Sequence, residues 1–385
     1  MSALRSLAWE GESLRLLDQT KLPTEITYLN CRDYREVAEA IRILAVRGAP
    51  AIGVAAAYAV LLAYRECLLS SDISAAFHHA CQEISAARPT AVNLSWAVSE
   101  MEKVFDRYPA KEAGDALLSR AKEIEAEDIH TCRSIGENGA DLFRGREGLR
   151  ILTHCNTGAL ATAGIGTAFG VLSILHERGA IECVYADETR PLLQGSRLTA
   201  TELMEGHIPC CLISDTMSAS VMRDKKIDAI IVGADRIAAN GDTANKIGTY
   251  GLAVMAAYHH IPFYIAAPFS TFDFSIASGK EIVIEERDPD EVRKFAGVYS
   301  APKDVPVYNP AFDVTPSSLI AGIITEKGVL KAPYEAAIEK YKKELAAPKT
   351  GKKGYPRPPD IPSICAAKPS PPFLIPHFLF ERSLS

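Results

Sequence analysis

The spacing of hydrophobic positions divides this chain into four stretches. In the first, Leu14-Arg15-Leu16-Leu17 and Glu25-Ile26-Thr27-Tyr28-Leu29 alternate enough to predict a small antiparallel ribbon. From Cys31 to about Leu142 the period becomes helical, with Val37, Ala40, Ile41 and Leu44 at i, i+3, i+4 and i+7. Ala55–Leu69, Ile73–Arg88, Asn93–Tyr108 and Asp115–Phe143 also read as helices. Gly48, Pro50 and Gly53 are expected to interrupt the helical run, and Pro89 and Pro109 to separate later helices.

After Gly148 the texture becomes short and β-rich: Arg150–Thr153, Cys183–Ala186, Cys210–Ile213, Ala229–Val232 and Phe263–Ala266. These runs lie roughly 20 to 35 residues apart with helical segments between them, the spacing of βα units in a parallel sheet. The reading is therefore α/β. From Ala346 prolines crowd the chain, as in PKTGKKGYPRPPDIPS and PSPPFLIPHF, and a disordered tail is expected.

Composition narrows the function classes. The 385 residues are 48% hydrophobic and carry a net charge of −6, which suits a globular protein of two domains and argues against nucleic acid as the main ligand. The longest apolar stretch, Ala51–Tyr64, is too short to span a bilayer, so no membrane role is expected. MSALRSLAWEGE contains no apolar signal core, and the nine cysteines show no CxxC spacing. Reduced thiols in a cytoplasmic protein are the expectation.

Candidate chemistry gathers where the apolar runs end. They lead into His154-Cys155-Asn156, Asp187-Glu188-Thr189-Arg190, Ser214-Asp215-Thr216 and Gly233-Ala234-Asp235-Arg236. Ligands of open parallel sheets bind beyond the carboxyl ends of the strands, so four such ends suggest one lined crevice. Cys155 follows the first run, and Gly158, Gly164 and Gly166 let backbone N–H groups approach a ligand. A helix starting nearby would lower the thiol pKa. His154 reads as a packed, hydrogen-bonded histidine. Asp235, three residues past an apolar run, should have a raised pKa suited to a general acid or base; an N-cap or a salt bridge with Arg236 is the structural alternative. Asp242 looks like a cap in the turn Asn240-Gly241-Asp242. Asn245 and Lys246 are expected at the start of the next helix, where an anionic ligand would explain a lysine. Arg47-Gly48-Ala49-Pro50 reads as a phosphate seat before a helix, and Arg88, in AARPTAVN, as a second arginine contact. The loop from Glu188 to Arg197, including Gln194, could serve sugar hydroxyls. No metal motif and no GxxxxGK[ST] occurs. GIGTAFG, with Asp187 downstream, nearly matches a dinucleotide fingerprint, but Cys155–Ala163 separate it from the strand and the last spacing is wrong.

Taken together, VRGAPAIG, ARPTAVNL, THCNTGALATAGIGTA, ETRPLLQGSRLTA, GADRIAANGDTANKIGTY and NPAFDVTP resemble the methylthioribose-1-phosphate isomerase family, in order from about Leu14 to Tyr341. That family shares a superfamily with regulatory subunits of the translation-initiation guanine-nucleotide exchange factor and with ribose-1,5-bisphosphate isomerase. The resemblance implies a mainly helical N-terminal domain with a small β ribbon (1–142), a Rossmann-like catalytic domain (143–345), and a tail (346–385) that matches nothing in the family. It implies a homodimeric, cofactor-free enzyme of methionine salvage acting on a phosphorylated thiosugar, in the cytoplasm and with the nucleus as a second location. It also implies Cys155 and Asp235 as the catalytic pair, and substrate contacts from Arg47, Gly48, Ala49, Arg88, Gln194, Asn245 and Lys246.

The anomeric phosphate of such a substrate prevents spontaneous ring opening, so the enzyme must break the C1–O4 bond itself. Hydrogen then moves from C2 to C1. Either Cys155 as thiolate carries the proton, or a hydride shifts directly; the sequence leaves both routes open. The competing classes are a sugar-phosphate-sensing scaffold of the same fold and, third, a nicotinamide dehydrogenase.

Overall fold

The computed structural model describes residues 4–88 and 91–346. Pro89, expected to separate two helices, and the Pro-rich tail beyond Ala346 lie outside the described residues.

Three antiparallel strands open the chain: β1 (Leu7–Glu10), β2 (Ser13–Leu17) and β3 (Tyr28–Cys31). The ribbon thus has a strand more than the pattern predicts, and Glu25–Thr27 lie in the loop before β3. Helix α1 (Tyr34–Arg42) starts in a capping box: Asp33 accepts from Arg35 N–H while Glu36 accepts from Asp33 N–H. Then follow α2 (Ala49–Cys67), α3 (Ile73–Ala86), α4 (Val92–Phe105) and α5 (Gly114–Ala140). Pro50 and Gly53 do not break α2. Pro50 sits in the first turn, where no N–H is needed, and Gly53 lets α4 close in, the Asn93 carbonyl lying 3.2 Å from where a Cβ would be. Alanine favours helix and offers no polar face, so α2 is buried continuously from Ala51 to Tyr64 inside its neighbours.

The second half alternates strand and helix: β4 (Leu149–Thr153), α6 (Ala168–Glu177), β5 (Ile181–Asp187), α7 (Ala200–Glu205), β6 (Cys210–Ile213), α8 (Ser218–Asp224) and β7 (Ala229–Val232). A hairpin of β8 (Arg236–Ala238) and β9 (Thr243–Lys246) precedes α9 (Thr249–Tyr258) and β10 (Phe263–Ala266). Short pieces follow: β11 (Phe272–Asp273), α10 (Asp290–Arg293), β12 (Lys294–Phe295), β13 (Val298–Tyr299) and β14 (Phe312–Thr315). β15 (Gly322–Thr325), β16 (Gly328–Leu330) and α11 (Tyr334–Ala346) close the described chain.

The main sheet runs β16-β15-β10-β7-β4-β5-β6, all parallel except the edge strand β16. From β4 the chain first builds outward through β5 and β6, then returns to add β7, β10 and β15 on the other side. The reversal falls between β4 and β7, and a doubly wound sheet leaves a crevice above that point. A smaller sheet, β11-β8-β9-β14, stands beside it. One apolar cluster from Leu7 to Ile124 surrounds α2, and two others cover the faces of the main sheet. Helix α5 serves both regions, giving Leu117, Ala121 and Ile124 to the first cluster and Ile135 and Ala140 to the second. Among the described residues no helix is long and apolar enough to cross a membrane.

Candidate active site

Above the β4–β7 switch point lies a cavity of about 850 Å³. Cys155 reaches it from just beyond β4 and Asp235 from just beyond β7. Arg47, Gly48 and Ala49 reach it from the start of α2, and Arg88 from the end of α3. Gln194, Asn245 and Lys246 complete the set, so every residue the family resemblance implies in catalysis or substrate contact lines this one space.

The thiol is held by its backbone. Cys155 has φ +64°, a left-handed conformation that costs energy unless neighbours enforce it. Its N–H donates to Thr189 Oγ1 at 2.9 Å, and its carbonyl accepts from Thr199 Oγ1 at 2.6 Å. Burial pushes the thiol pKa up; Arg47 and Lys246 pull it down without cancelling that effect. This corrects the expected lowering. The start of α6 does pack on this loop, with Thr167 N–H donating to the Thr157 carbonyl at 2.8 Å, but burial of the thiol outweighs the lowering influences.

Asp235 lines the cavity; the residue as a whole is exposed, while its carboxyl is packed among protein atoms. Burial raises its pKa against the opposing charges of Lys246, Arg47 and Arg88. Its alternative as a partner of Arg236 fails, because Arg236 turns to Asp273 at 3.6 Å.

The cations converge differently than expected. Asn245 and Lys246 end the strand β9 and are not at a helix start, so the dipole argument for an anion does not apply. The turn Asn240-Gly241 makes a β-hairpin, and Asp242 does not cap the helix that follows it in sequence: its carboxylate accepts from the N–H groups of Gly279 and Ser317, which open two short 3-10 turns. Lys246 Nζ donates to the Ala311 carbonyl at 2.9 Å and sits 4.3 Å from the Phe312 ring centre. Asn245 Nδ2 donates to Thr249 Oγ1 at 3.0 Å. Burial lowers the Arg88 pKa, but a guanidinium stays charged. Arg47, Arg88, Lys246 and the start of α2 therefore give one side of the cavity a positive field. Phe272, Phe274 and Phe312 give it an apolar wall.

Gly48 is indispensable to the fit. Its φ is +87°, and a Cβ there would lie 2.4 Å from the Ala161 carbonyl oxygen. The start of α2 thereby lies directly on the loop that follows Cys155, with Ala51 N–H donating to that same carbonyl at 3.2 Å.

Not all candidate groups face the cavity. His154 is packed and hydrogen-bonded as expected, between Asp187 and the Ile247 carbonyl. Asp187 is thereby committed, which removes the ribose partner a dinucleotide would need. In the 188–197 loop only Leu192 and Gln194 line the space. Thr189 and Arg190 give their N–H groups to Asp215. His154, Asp187 and Asp215 have ligand atoms within 4.8 Å of one another, but those atoms are already engaged in these hydrogen bonds.

Two residues escaped the sequence reading. Asn156 Oδ1 accepts from Arg47 at 2.6 Å, and its Nδ2 donates to Glu202 at 2.6 Å. Glu202 is fully buried, accepts also from Leu160 N–H, and is pushed up to about 7 by burial. Nothing in a Glu on an amphipathic helix announces such a role; only the asparagine lay inside a motif already singled out.

The profile of the Initiation factor 2 subunit family matches residues 45–332. A protein of Pelotomaculum thermopropionicum named methylthioribose-1-phosphate isomerase is 52% identical, the match covering 88% of this chain and 94% of that one. The crystal structure of 5-methylthioribose 1-phosphate isomerase from Pyrococcus horikoshii OT3 superposes with a TM-score of 0.84 at 42% identity, covering 89% of this chain and 97% of that one. A structure described as translation initiation factor eIF-2B, subunit delta, from A. fulgidus reaches a TM-score of 0.81 at 43% identity, covering 89% of this chain and all of that one at 100%. With a parallel sheet that reverses between the thiol and the carboxyl, and relatives matched over nearly their whole length, this chain belongs to the methylthioribose-1-phosphate isomerases of the Initiation factor 2 subunit family.

Proposed function

We propose that this chain converts 5-methylthioribose-1-phosphate into 5-methylthioribulose-1-phosphate in methionine salvage, with Cys155 and Asp235 as its catalytic pair. The observation that carries the reading is the convergence of residues from five separated stretches on one cavity at the switch point. Arg47, Arg88, Lys246 and the start of α2 supply what a phosphate requires, and the phenylalanine wall suits a methylthio group. Gln194 and Asn245 hold the sugar hydroxyls. In this reading residues 1–142 form a helical domain that contributes the arginines and 143–345 a Rossmann-like catalytic domain. The enzyme works in the cytoplasm, without a cofactor.

Asp235 in its protonated form, which burial favours, donates to O4 as the C1–O4 bond breaks. The charge left at C1 is delocalised onto the phosphate ester oxygen. Hydrogen then leaves C2 for C1, and the C2 hydroxyl loses its proton, which restores the Asp235 carboxyl. A buried thiol with a raised pKa is mostly neutral at pH 7, which disfavours Cys155 as the base and favours the direct hydride shift beside a polarisable sulfur. An assay without added cofactor, on substrate deuterated at C2, tests both points. The expected product is a ketose that retains deuterium at C1. Washout into solvent would restore the proton route, and tight binding without turnover would replace the enzyme by a sensing scaffold.

The same reading includes a homodimer. Helix α9 offers Tyr250, Val254 and Tyr258, all exposed, as an apolar face for a second copy. Sedimentation at the monomer mass would remove that part of the proposal.

A further inference from the structure

His154 takes no part in the steps above, yet its side chain is only 1% exposed beside the catalytic cysteine. Both ring nitrogens face oxygen acceptors. Nδ1 lies 2.9 Å from Asp187 Oδ2, and Nε2 lies 2.9 Å from the Ile247 carbonyl oxygen. The carbonyl has no proton to give, so Nε2 must carry one. The other proton lies between ring and carboxyl. Imidazole is the stronger base and keeps it; the single Ser218 hydroxyl proton is within reach of both the second Asp187 oxygen, at 2.7 Å, and the Asp215 carbonyl, at 2.8 Å.

The anchor points have a particular relation to the cavity. His154 immediately precedes Cys155 at the end of β4, and Ile247 immediately follows Lys246 at the end of β9. The turn is moulded to the ring: Gly248 has φ +105°, and a Cβ there would lie 2.9 Å from His154 Cε1. We propose that His154 is a positioning residue, a buried imidazolium that ties the end of β4 to the turn after β9 and so fixes the spacing between the Cys155 thiol and the Lys246 ammonium.

The charged groups around the ring are Asp187 from β5, Asp215 from the segment after β6, and Asp313 from β14, whose carboxylate accepts the N–H groups of Gly248 and Tyr250. The imidazolium is the cation set among these three carboxylates. Burial opposes its charge, the bond to Asp187 favours it, and the ring pKa ends up raised. Such a tie is intact at low pH and is released as pH rises through the ring pKa.

The test has two halves, and only the second rests on the isomerase reading. In the ¹⁵N-labelled full chain without substrate at pH 7.5, the histidine ring signal lost in His154→Asn identifies this residue. Contact of its Hε1 with the Gly248 Hα protons assigns it in the wild type should that variant not fold. Both nitrogens are expected to be protonated; one bare nitrogen overturns the proposal whatever the enzyme acts on. His154→Asn and His154→Gln each keep one of the two reaches. Each should lower kcat by about 10²-fold while KM changes by less than about threefold, since a displacement of about an ångström has that effect on a chemical step. A wild-type kcat in either folded variant overturns the positioning role while leaving the isomerase reading intact.

Discussion

Cys155 and Asp235 carry unequal burdens from the same cause. Both have pKa values raised by burial, and in the proposed reaction the carboxyl serves as the acid while the thiol stays neutral. Asp235→Asn and Cys155→Ala should therefore fold and lose at least about 10²- to 10⁴-fold in kcat, measured in the ketose-formation assay. Arg88→Ala should chiefly raise KM, by about tenfold or more, because its charge faces the cavity without reaching the reacting carbons. These positions were legible in the sequence because each stands where an apolar run or a helix gives out. Glu202 was not legible. Its significance comes from Asn156 and Leu160, which the fold brings to it and the sequence keeps more than forty residues away.

At the level of elements, the hydrophobic pattern gave five of the seven strands of the main sheet, β4, β5, β6, β7 and β10, nearly residue for residue, since a buried parallel strand is a short unbroken apolar run, but it did not mark β15 and β16. It failed at two starts. Helix α2 begins earlier than Pro50 and Gly53 suggest, because proline is harmless in a first turn and the glycine is where another helix presses in. The segment after Asn240-Gly241 was read as helix although that dipeptide is a hairpin signal, the helical start being borrowed from α9 a few residues on. The join between α2 and the loop after Cys155 yields a sharp expectation. Gly48→Ala should lower stability by about 1–3 kcal/mol, read from urea unfolding, and depress activity far more than that loss explains. Wild-type turnover in this variant would separate the start of α2 from the site.

For the whole molecule, strand alternation announced a parallel sheet, but not its order, because sequence neighbours fix which strands exist and not on which side each is laid. The order matters most: it sets β4 beside β7, and hence a thiol beside a carboxyl eighty positions later. One consequence concerns how the cavity is walled. Its arginines stand in the loops just before α2 and just after α3, while its thiol and acid stand beyond the ends of β4 and β7. In the proposed reading, a sugar phosphate resting on both acts as a strut between the apolar cluster around α2 and those on the main sheet. Saturating ligand should then raise the melting temperature in a calorimeter, by the equivalent of about 2.7 kcal/mol at a hundred times Kd. An Arg47→Ala, Arg88→Ala double variant should forfeit most of that gain, because a strut seated at one end braces nothing.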